Sequence, residues 1–371
     1  MANAIVIDRA KGEPHLNLAR CMLLAYRTCG KRLSSQLSEI AKLSFGNGKL
    51  KPEEYYYYGL YDDREYSFSA KARFIGKRAQ DKIHRRCNDL GWWGVAHDKM
   101  IFYPLLAGLG FAVPEVYAVY HGSRSFGSVP TLRTADALAA HLRRGMSYPF
   151  FSKPVAGMYS VGVAAVEDYD AASDSLTLAD GRSVGVADFV AELSAFEKDG
   201  YLFQERLDPH PDIQAVCGDR AATVRVMVLF DDGGPRIVHA VWKIPVGANI
   251  ADNFWREGNM LGAVEVETGR VVRVVRGVGP DRETVDTHPD TAKAVKGVEL
   301  PDWPRLRELC LSVASVFPGL RIQAWDIALC ADGPVPLEVN IGGDFNLPQL
   351  ASGSGLLDED FRAFLAAKGK G

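Results

Sequence analysis

The sequence has no run of apolar residues long enough to span a bilayer, no C-x-x-C pair, no block of like charge and no low-complexity tract. Its longest apolar stretches, such as "ATVRVMVLF", are short and interrupted by charge, and "MANAIVIDRAKGEPH" at the start has no signal-type apolar segment. These absences give the expectation of a cytoplasmic chain with no membrane partner. The six cysteines (Cys21, Cys29, Cys87, Cys217, Cys310 and Cys330) are scattered, which argues against a zinc site and a disulfide framework and for reduced, buried thiols. Neither the phosphate-loop pattern G-x-x-x-x-G-K-[ST] nor the dinucleotide pattern G-x-G-x-x-G occurs near a strand-to-helix junction, so neither nucleotide motif applies.

What is present is an ordinary globular composition, 47% hydrophobic and 24% charged over 371 residues, long enough for two or three lobes. The net charge of -3 conceals an imbalance: residues 1–95 hold 17 lysines and arginines against 10 acids, a net of +7. That segment suits an anionic partner or a solvated basic face, and its charges are interleaved with acids. It carries no recognisable RNA-binding motif, so a nucleic-acid partner ranks last.

Along the chain, residues 16–43 repeat apolar positions at helical spacing up to the turn "FGNGK", and residues 68–90 form a second helical region. Pro52 suits the first turn of a helix in "KPEEYYYYGLYDDREY". After "GWWGVAHDK" the pattern changes to alternating strands and helices: "DKMIFYPLLAGLGF" as a helix closed by Gly110, "VPEVYAVY" as a strand, "TADALAAHLRR" as a helix capped by Thr134, then the strands "YPFFSKPV" and "YLFQERL". The second half reads as hairpins, "AATVRVMVLF" with "PRIVHAVWKIPV" and then "GAVEVETGRVVRVV", followed by a helix from Trp303 and a last hairpin, "WDIALCADGPVPLEVN". The order predicts an α+β protein: a mainly helical basic region over residues 1–95, then two α+β lobes over 96–206 and 207–371.

The last hairpin carries the chemistry. Acids at Asp326 and Glu338 sit among Trp325, Ile327, Leu337 and Val339, where an unpaired carboxylate is costly. A turn at Asp332-Gly333 places Asp326 opposite Glu338, with Asn340 on the same face. Three convergent hard oxygens suit Mg²⁺ or Mn²⁺; the alternative is that each acid is singly paired with an arginine. Four cations are also embedded in structured segments: Lys99 at a helix start, Lys153 in "FFSKPV", and Arg225 and Lys243 on strands whose pairing puts them on one face. The loop "AGMYSVGV" after Lys153 offers Gly157, Ser160 and Gly162 for backbone contacts to phosphate. Cations gathered beside a metal-type trio point to a polyphosphate.

The ordered segments "HDKMIFYPLLAGLGFAVPEVYAVY", "FSKPVAGMYSVGVAAVE", "YLFQERL", "TVRVMV" and "WDIALCADGPVPLEVN" together resemble the ATP-grasp superfamily, over about Ala96 to Phe364. Within it they are most similar to the sugar-transfer-associated, or α-L-glutamate-ligase-related, group. The resemblance implies an ATP-grasp fold, two lobes clasping ATP. It implies Lys99 and Lys153 on the nucleotide phosphates, Gln204 or Glu205 on the adenine amine, backbone near Arg206 and Leu207 on the ring edge, and Asp212 on the ribose. Arg225 would stabilise the transferring phosphoryl group with help from Lys243, and Asp326, Glu338 and Asn340 would hold two Mg²⁺ ions. The chain departs from the pattern in a phosphate loop with fewer glycines and in a helical first segment where most such ligases have a β-α-β domain.

The activity implied is ATP- and Mg²⁺-dependent ligation of a carboxylate to an amine through an acyl phosphate, with both small molecules bound between the lobes. Arg256 is the candidate clamp for a carboxylate or phosphate, and Asn253, Asp344 and Asn346 are candidates to orient an amine. The alternatives are phosphoryl transfer to a sugar or other small molecule and a regulatory ATP-binding module without turnover. The identities of acid and amine and the oligomeric state are left open by the sequence.

Overall fold

The computed structural model describes residues 13–157, 161–341 and 343–367. The opening third is helical, as its periodicity requires, but the first stretch is two helices. α1 (Leu18–Cys29) ends at Gly30, whose positive φ of 66° lets its N–H close on the Tyr26 carbonyl, and α2 (Leu33–Phe45) starts anew. α3 (Pro52–Tyr57) opens on proline, and Tyr55, Tyr56 and Tyr58 are fully buried. α4 (Phe68–Lys71) and α5 (Lys77–Cys87) complete the region. Much of its basic charge is answered locally: Lys31 and Lys71 both pair with Glu39 and Asp63.

α6 (Trp93–His97) and α7 (Lys99–Gly108) lead into the first lobe. Its strands are β1 (Val116–Tyr120), β2 (Thr131–Leu132), β3 (Phe150–Pro154), β4 (Ala164–Asp170), β5 (Ser175–Leu178), β6 (Ser183–Gly185) and β7 (Tyr201–Glu205). They form one sheet in the order β2-β1-β7-β3-β4-β5-β6. α8 (Ala135–Arg144), capped by Thr134 as expected, and α9 (Val186–Leu193) cover it and bury Leu138, Leu142, Phe189 and Leu193 against Phe150 and Phe203.

The second lobe contains α10 (Pro211–Cys217), β8 (Thr223–Asp231), β9 (Gly234–Ile244), β10 (Met260–Val264), β11 (Val271–Arg276), β12 (Glu283–Thr284), α11 (Trp303–Ser315), β13 (Ile322–Cys330), β14 (Gly333–Asn340), α12 (Asn346–Ser352) and α13 (Glu359–Ala367). Its sheet runs β12-β11-β10-β9-β8-β13-β14. Strand alternation gives this sheet two buried faces. Val224, Val226, Trp242, Trp325 and Ile327 pack on α11 and on Phe102 and Leu106 of α7, so the helix placed at the head of the first lobe in fact shares the second lobe's core. The other face carries Val241, Leu261, Met227 and Ile322 and is covered by the N-terminal helices with α12 and α13. The chain is α+β, and no helix among the described residues is long and apolar enough to cross a membrane.

Candidate active site

The polar row of the site crosses the second sheet on the face that the N-terminal helices cover. Arg225 stands opposite Asp326, and Asp326 opposite Glu338. Arg225 also pairs with Val241, so Lys243, two residues along, shares its face. The facing of Asp326 and Glu338 arises differently from the sequence expectation. The turn sits at Ala331-Asp332, because Cys330 pairs with Gly333, and an irregularity then passes over Leu337 so that Asp326 meets Glu338. Without that bulge the acids would fall on opposite faces.

Asp326 is the most constrained member. Its Oδ1 accepts from Arg225 Nε at 2.7 Å, and its Oδ2 accepts from Arg225 Nη2 at 2.7 Å and from Lys243 Nζ at 3.0 Å. Burial alone would raise its pKa, but the charges of Arg225 and Lys243 hold it well below the ordinary carboxylate range. Lys243 is shared with Asp252 at 3.2 Å, which in turn accepts from the Thr223 backbone N–H and hydroxyl. The sequence reading missed Asp252; its only signal was an acid opening the polar loop "ADNFWREGN".

Glu338 is the open acid: its side chain is 31% exposed and its nearest cation is Lys99 Nζ at 3.4 Å. Asn340, paired with Ala324, turns its Nδ2 towards the Ala324 carbonyl at 3.5 Å, leaving the oxygen as its acceptor end. Of four carboxylate lone-pair positions, Asp326 has three engaged and one remaining on Oδ1. One open carboxylate, one amide oxygen and this last lone pair form a donor set that fits a hard dication keeping several waters. The trio is therefore unequal, with Asp326 committed first to its cations.

Glu338, Asn340, Lys99, Arg225 and Lys243 border a cavity of about 650 Å³, together with Gly157 from the loop after β3. Ser160 lies outside the described residues. Lys153 stands behind this wall: its Nζ donates to the Tyr103 hydroxyl at 2.8 Å, and burial, with Lys99 adding, pulls its pKa down to about 7. The same hydroxyl lies 3.1 Å from the carbonyl of Leu337, the bulge residue, and 3.4 Å from Gln204 Oε1, so Tyr103 joins the two lobes. Nothing in the sequence singled it out.

Other expected contacts are placed differently. Glu205 uses its carboxylate to accept the Glu115 N–H at 3.0 Å, and Arg206 is paired with Glu167. Asp212 is exposed in the first turn of α10, near His210, and does not line the cavity. Asn346 accepts from the Tyr58 hydroxyl and donates to Glu13 at 2.8 Å, so it fastens the N-terminal region, and it does not line the cavity. Arg256 is buried away from the lining, whereas Asn253 and Asp344 do line it. Burial raises the Asp344 pKa, against the lowering effect of Arg225. The cavity's remaining wall comes from the N-terminal region, through Gln80, His84 and Asn88 of α5 and its end and Trp93 beyond, none of them expected.

A family model for sugar-transfer associated ATP-grasp proteins matches residues 78–363. Among solved structures, the ATP-grasp ligase PsnB complexed with minimal precursor aligns at 19% identity over 76% of this chain and 63% of its own, with a TM-score of 0.39. L-amino acid ligase from Bacillus licheniformis aligns at 14% identity over 73% of this chain and 48% of its own, TM-score 0.39. D-alanine–D-alanine ligase from Bacillus anthracis aligns at 15% identity over 78% and 73%, TM-score 0.37. The chain thus spans less than two thirds of the first two of these proteins. A search of curated proteins gives no match. The matched span runs from α5 through both sheets into α13 and includes every residue that borders the cavity except Lys77, and by that match the chain belongs to the sugar-transfer associated ATP-grasp family.

Proposed function

We propose that this protein is an ATP- and Mg²⁺-dependent ligase that joins a carboxylate to an amine through an acyl phosphate. The observation that carries the reading is the row Arg225–Asp326–Glu338 across three strands, opening with Lys99 and Lys243 onto one cavity between the helical region and the second sheet. Phosphoryl transfer to a carboxylate needs positive charge fixed around the γ-phosphoryl oxygens and needs no protein nucleophile. Arg225 supplies that charge from a guanidinium whose geometry Asp326 fixes by two hydrogen bonds. Lys99 on the cavity wall and Lys153 of the first lobe, held behind that wall on the Tyr103 hydroxyl, would serve the phosphates, with Gln204 to Leu207 reading the adenine. Glu338 and Asn340, completed by Asp326, would hold Mg²⁺ (or Mn²⁺), which when bound draws off charge from the transferring phosphoryl group.

Once the acyl phosphate exists, the amine nitrogen forms the C–N bond with its lone pair. The acyl C–O bond breaks towards phosphate, and the nitrogen's surplus proton leaves with the phosphate. Water must be kept from the acyl phosphate meanwhile, and the helical region that roofs the cavity serves this. The two α+β lobes then act as the clasp, and the helices α1–α5 as the acceptor-side cover.

The test is an ADP-release screen over pairs of amino acids and sugar acids with amines. Release that requires both an acid and an amine supports the ligase. A phosphorylated product from a single acceptor would replace it with phosphoryl transfer, and ATP binding without turnover on any pair would leave a regulatory module.

A further inference from the structure

We infer that His84 is the group through which this protein holds its nucleophilic substrate, a primary amine, in a compartment built by α5 against the second lobe; this rests on the ligase reading above. Gln80, His84 and Asn88 recur at four-residue spacing and so face the same way. The outer two bind α5 to the second lobe. Gln80 Oε1 accepts the Phe345 N–H at 3.3 Å, and the Asn88 amide accepts from Ile322 N at 2.8 Å while donating to the carbonyls of Ile322 and Ile341. His84, between them, is only 9% exposed and borders the cavity, yet neither of its ring nitrogens has a hydrogen-bond partner among the described residues.

Buried polar atoms are nearly always paired, so an imidazole with both nitrogens unanswered beside a cavity points to a ligand that answers them. The surroundings fix the ring in place. Its centroid lies 4.9 Å from that of Phe345, and Gly343 comes close enough that a Cβ there would stand in van der Waals contact, 3.8 Å, with its Cε1. Burial, with Lys77 adding, pulls the ring's pKa down to about 3, so it stays neutral and presents one acceptor and one donor. An amine N–H donated to that acceptor leaves the nitrogen lone pair free for the acyl carbon. Arg225, the residue proposed for the transferring phosphoryl group, lines the same cavity.

Hydroxylamine, a minimal amine that converts an acyl phosphate into a coloured hydroxamate, tests this without knowledge of the natural amine. Wild type, His84→Leu and His84→Gln are compared with ATP, Mg²⁺ and each acid of the panel, following the ADP burst without nucleophile and then hydroxamate against hydroxylamine concentration. The expected result is an unchanged burst in all three, a hydroxylamine KM raised tenfold or more in His84→Leu, and an intermediate KM in His84→Gln, whose amide retains a donor and an acceptor. A normal burst with superimposable hydroxylamine curves overturns the inference and leaves the ligase reading standing. A burst lost in both variants overturns it too, by placing His84 among the residues that serve ATP or the acid. No hydroxamate from any acid with wild type removes the ligase reading and the inference with it.

Discussion

Replacing Asp326 by asparagine separates two roles that a carboxylate at this position can play. If Asp326 serves first as a metal ligand, the ion-free protein holds two like charges, Asp326 and Glu338, on paired positions, and removing one should leave stability unchanged or increase it. The geometry argues for the opposite sign. Asp326 is buried and carries three hydrogen bonds from Arg225 and Lys243, so Asp326→Asn leaves two buried cations with one weak acceptor between them. Breaking a buried pair by removing one partner costs about 3 to 5 kcal/mol. Asp252 continues to answer Lys243, which favours the lower end. For a lobe of this size each kcal/mol moves the transition by roughly 2 to 4 °C, giving a fall of roughly 6 to 20 °C in metal-free buffer. Because the folded pKa of Asp326 is depressed, its contribution is present above the ordinary carboxylate pKa of about 3.9 and fades as pH drops through the folded value. The wild-type advantage should therefore shrink in acid. The assay is a thermal melt with chelator, for Asp326→Asn, Arg225→Met and the double variant. A single-variant shift under 2 °C, or losses that simply add in the double variant, would refute the ion-pair account and return Asp326 to the metal alone.

Glu338→Gln should lower ADP release on the order of 100-fold or more while moving the melting temperature by less than about 2 °C, since the side chain is part-exposed and its one ion pair is long; paired melts and rate assays check it. Lys153 loses its proton near pH 7 in the folded state and near 10.4 when unfolded, so between these values the unfolded chain holds the extra proton and stability should rise with pH by a slope that Lys153→Met abolishes. Melting curves from pH 6.5 to 9.5 without nucleotide would show it, and an unchanged slope in the variant would contradict it. Gln349→Ala strips the partners from the Ile75 N–H and carbonyl, leaving two buried groups unanswered at roughly 1 to 3 kcal/mol each, while the Tyr58 hydroxyl keeps its bond to Asn346. Hydrogen exchange should then quicken around residues 68–87 with little change in the first lobe.

The second sheet was legible because its strands are apolar runs and its turns carry glycine: β8 and β9 meet at "DDGG", and β13 and β14 stand out by the acids they carry. The cations Arg225 and Lys243 were legible for the same reason, as charges inside apolar strands. What the sequence concealed depends on contacts between elements. The private ion pairs of Asp326 arise because β13 lies beside β8, separated from it by about a hundred residues of chain. The bulge at Leu337 leaves no mark in residue type, although it decides which face Glu338 takes. Asn346 reads as a loop residue next to the last hairpin and becomes a fastening only because Tyr58 reaches it from the N-terminal region. His84 was hidden in a basic helix, "KRAQDKIHRRC", where its spacing from Gln80 and Asn88 is visible but the wall they face is not.

The side-chain amides that fix α5 and its neighbours to the second sheet also bear on the order in which ligands could bind. Gln349 grips both backbone groups of Ile75, and Asn88 grips Ile322 and Ile341, while α7, packed in the second lobe's core, meets the first lobe where the Tyr103 hydroxyl lies against Lys153 and Gln204. On the ligase reading proposed above, the chamber beneath the helical roof would be assembled before ATP arrives, so that acceptor occupancy need not wait for nucleotide, which predicts random rather than ordered addition of the two.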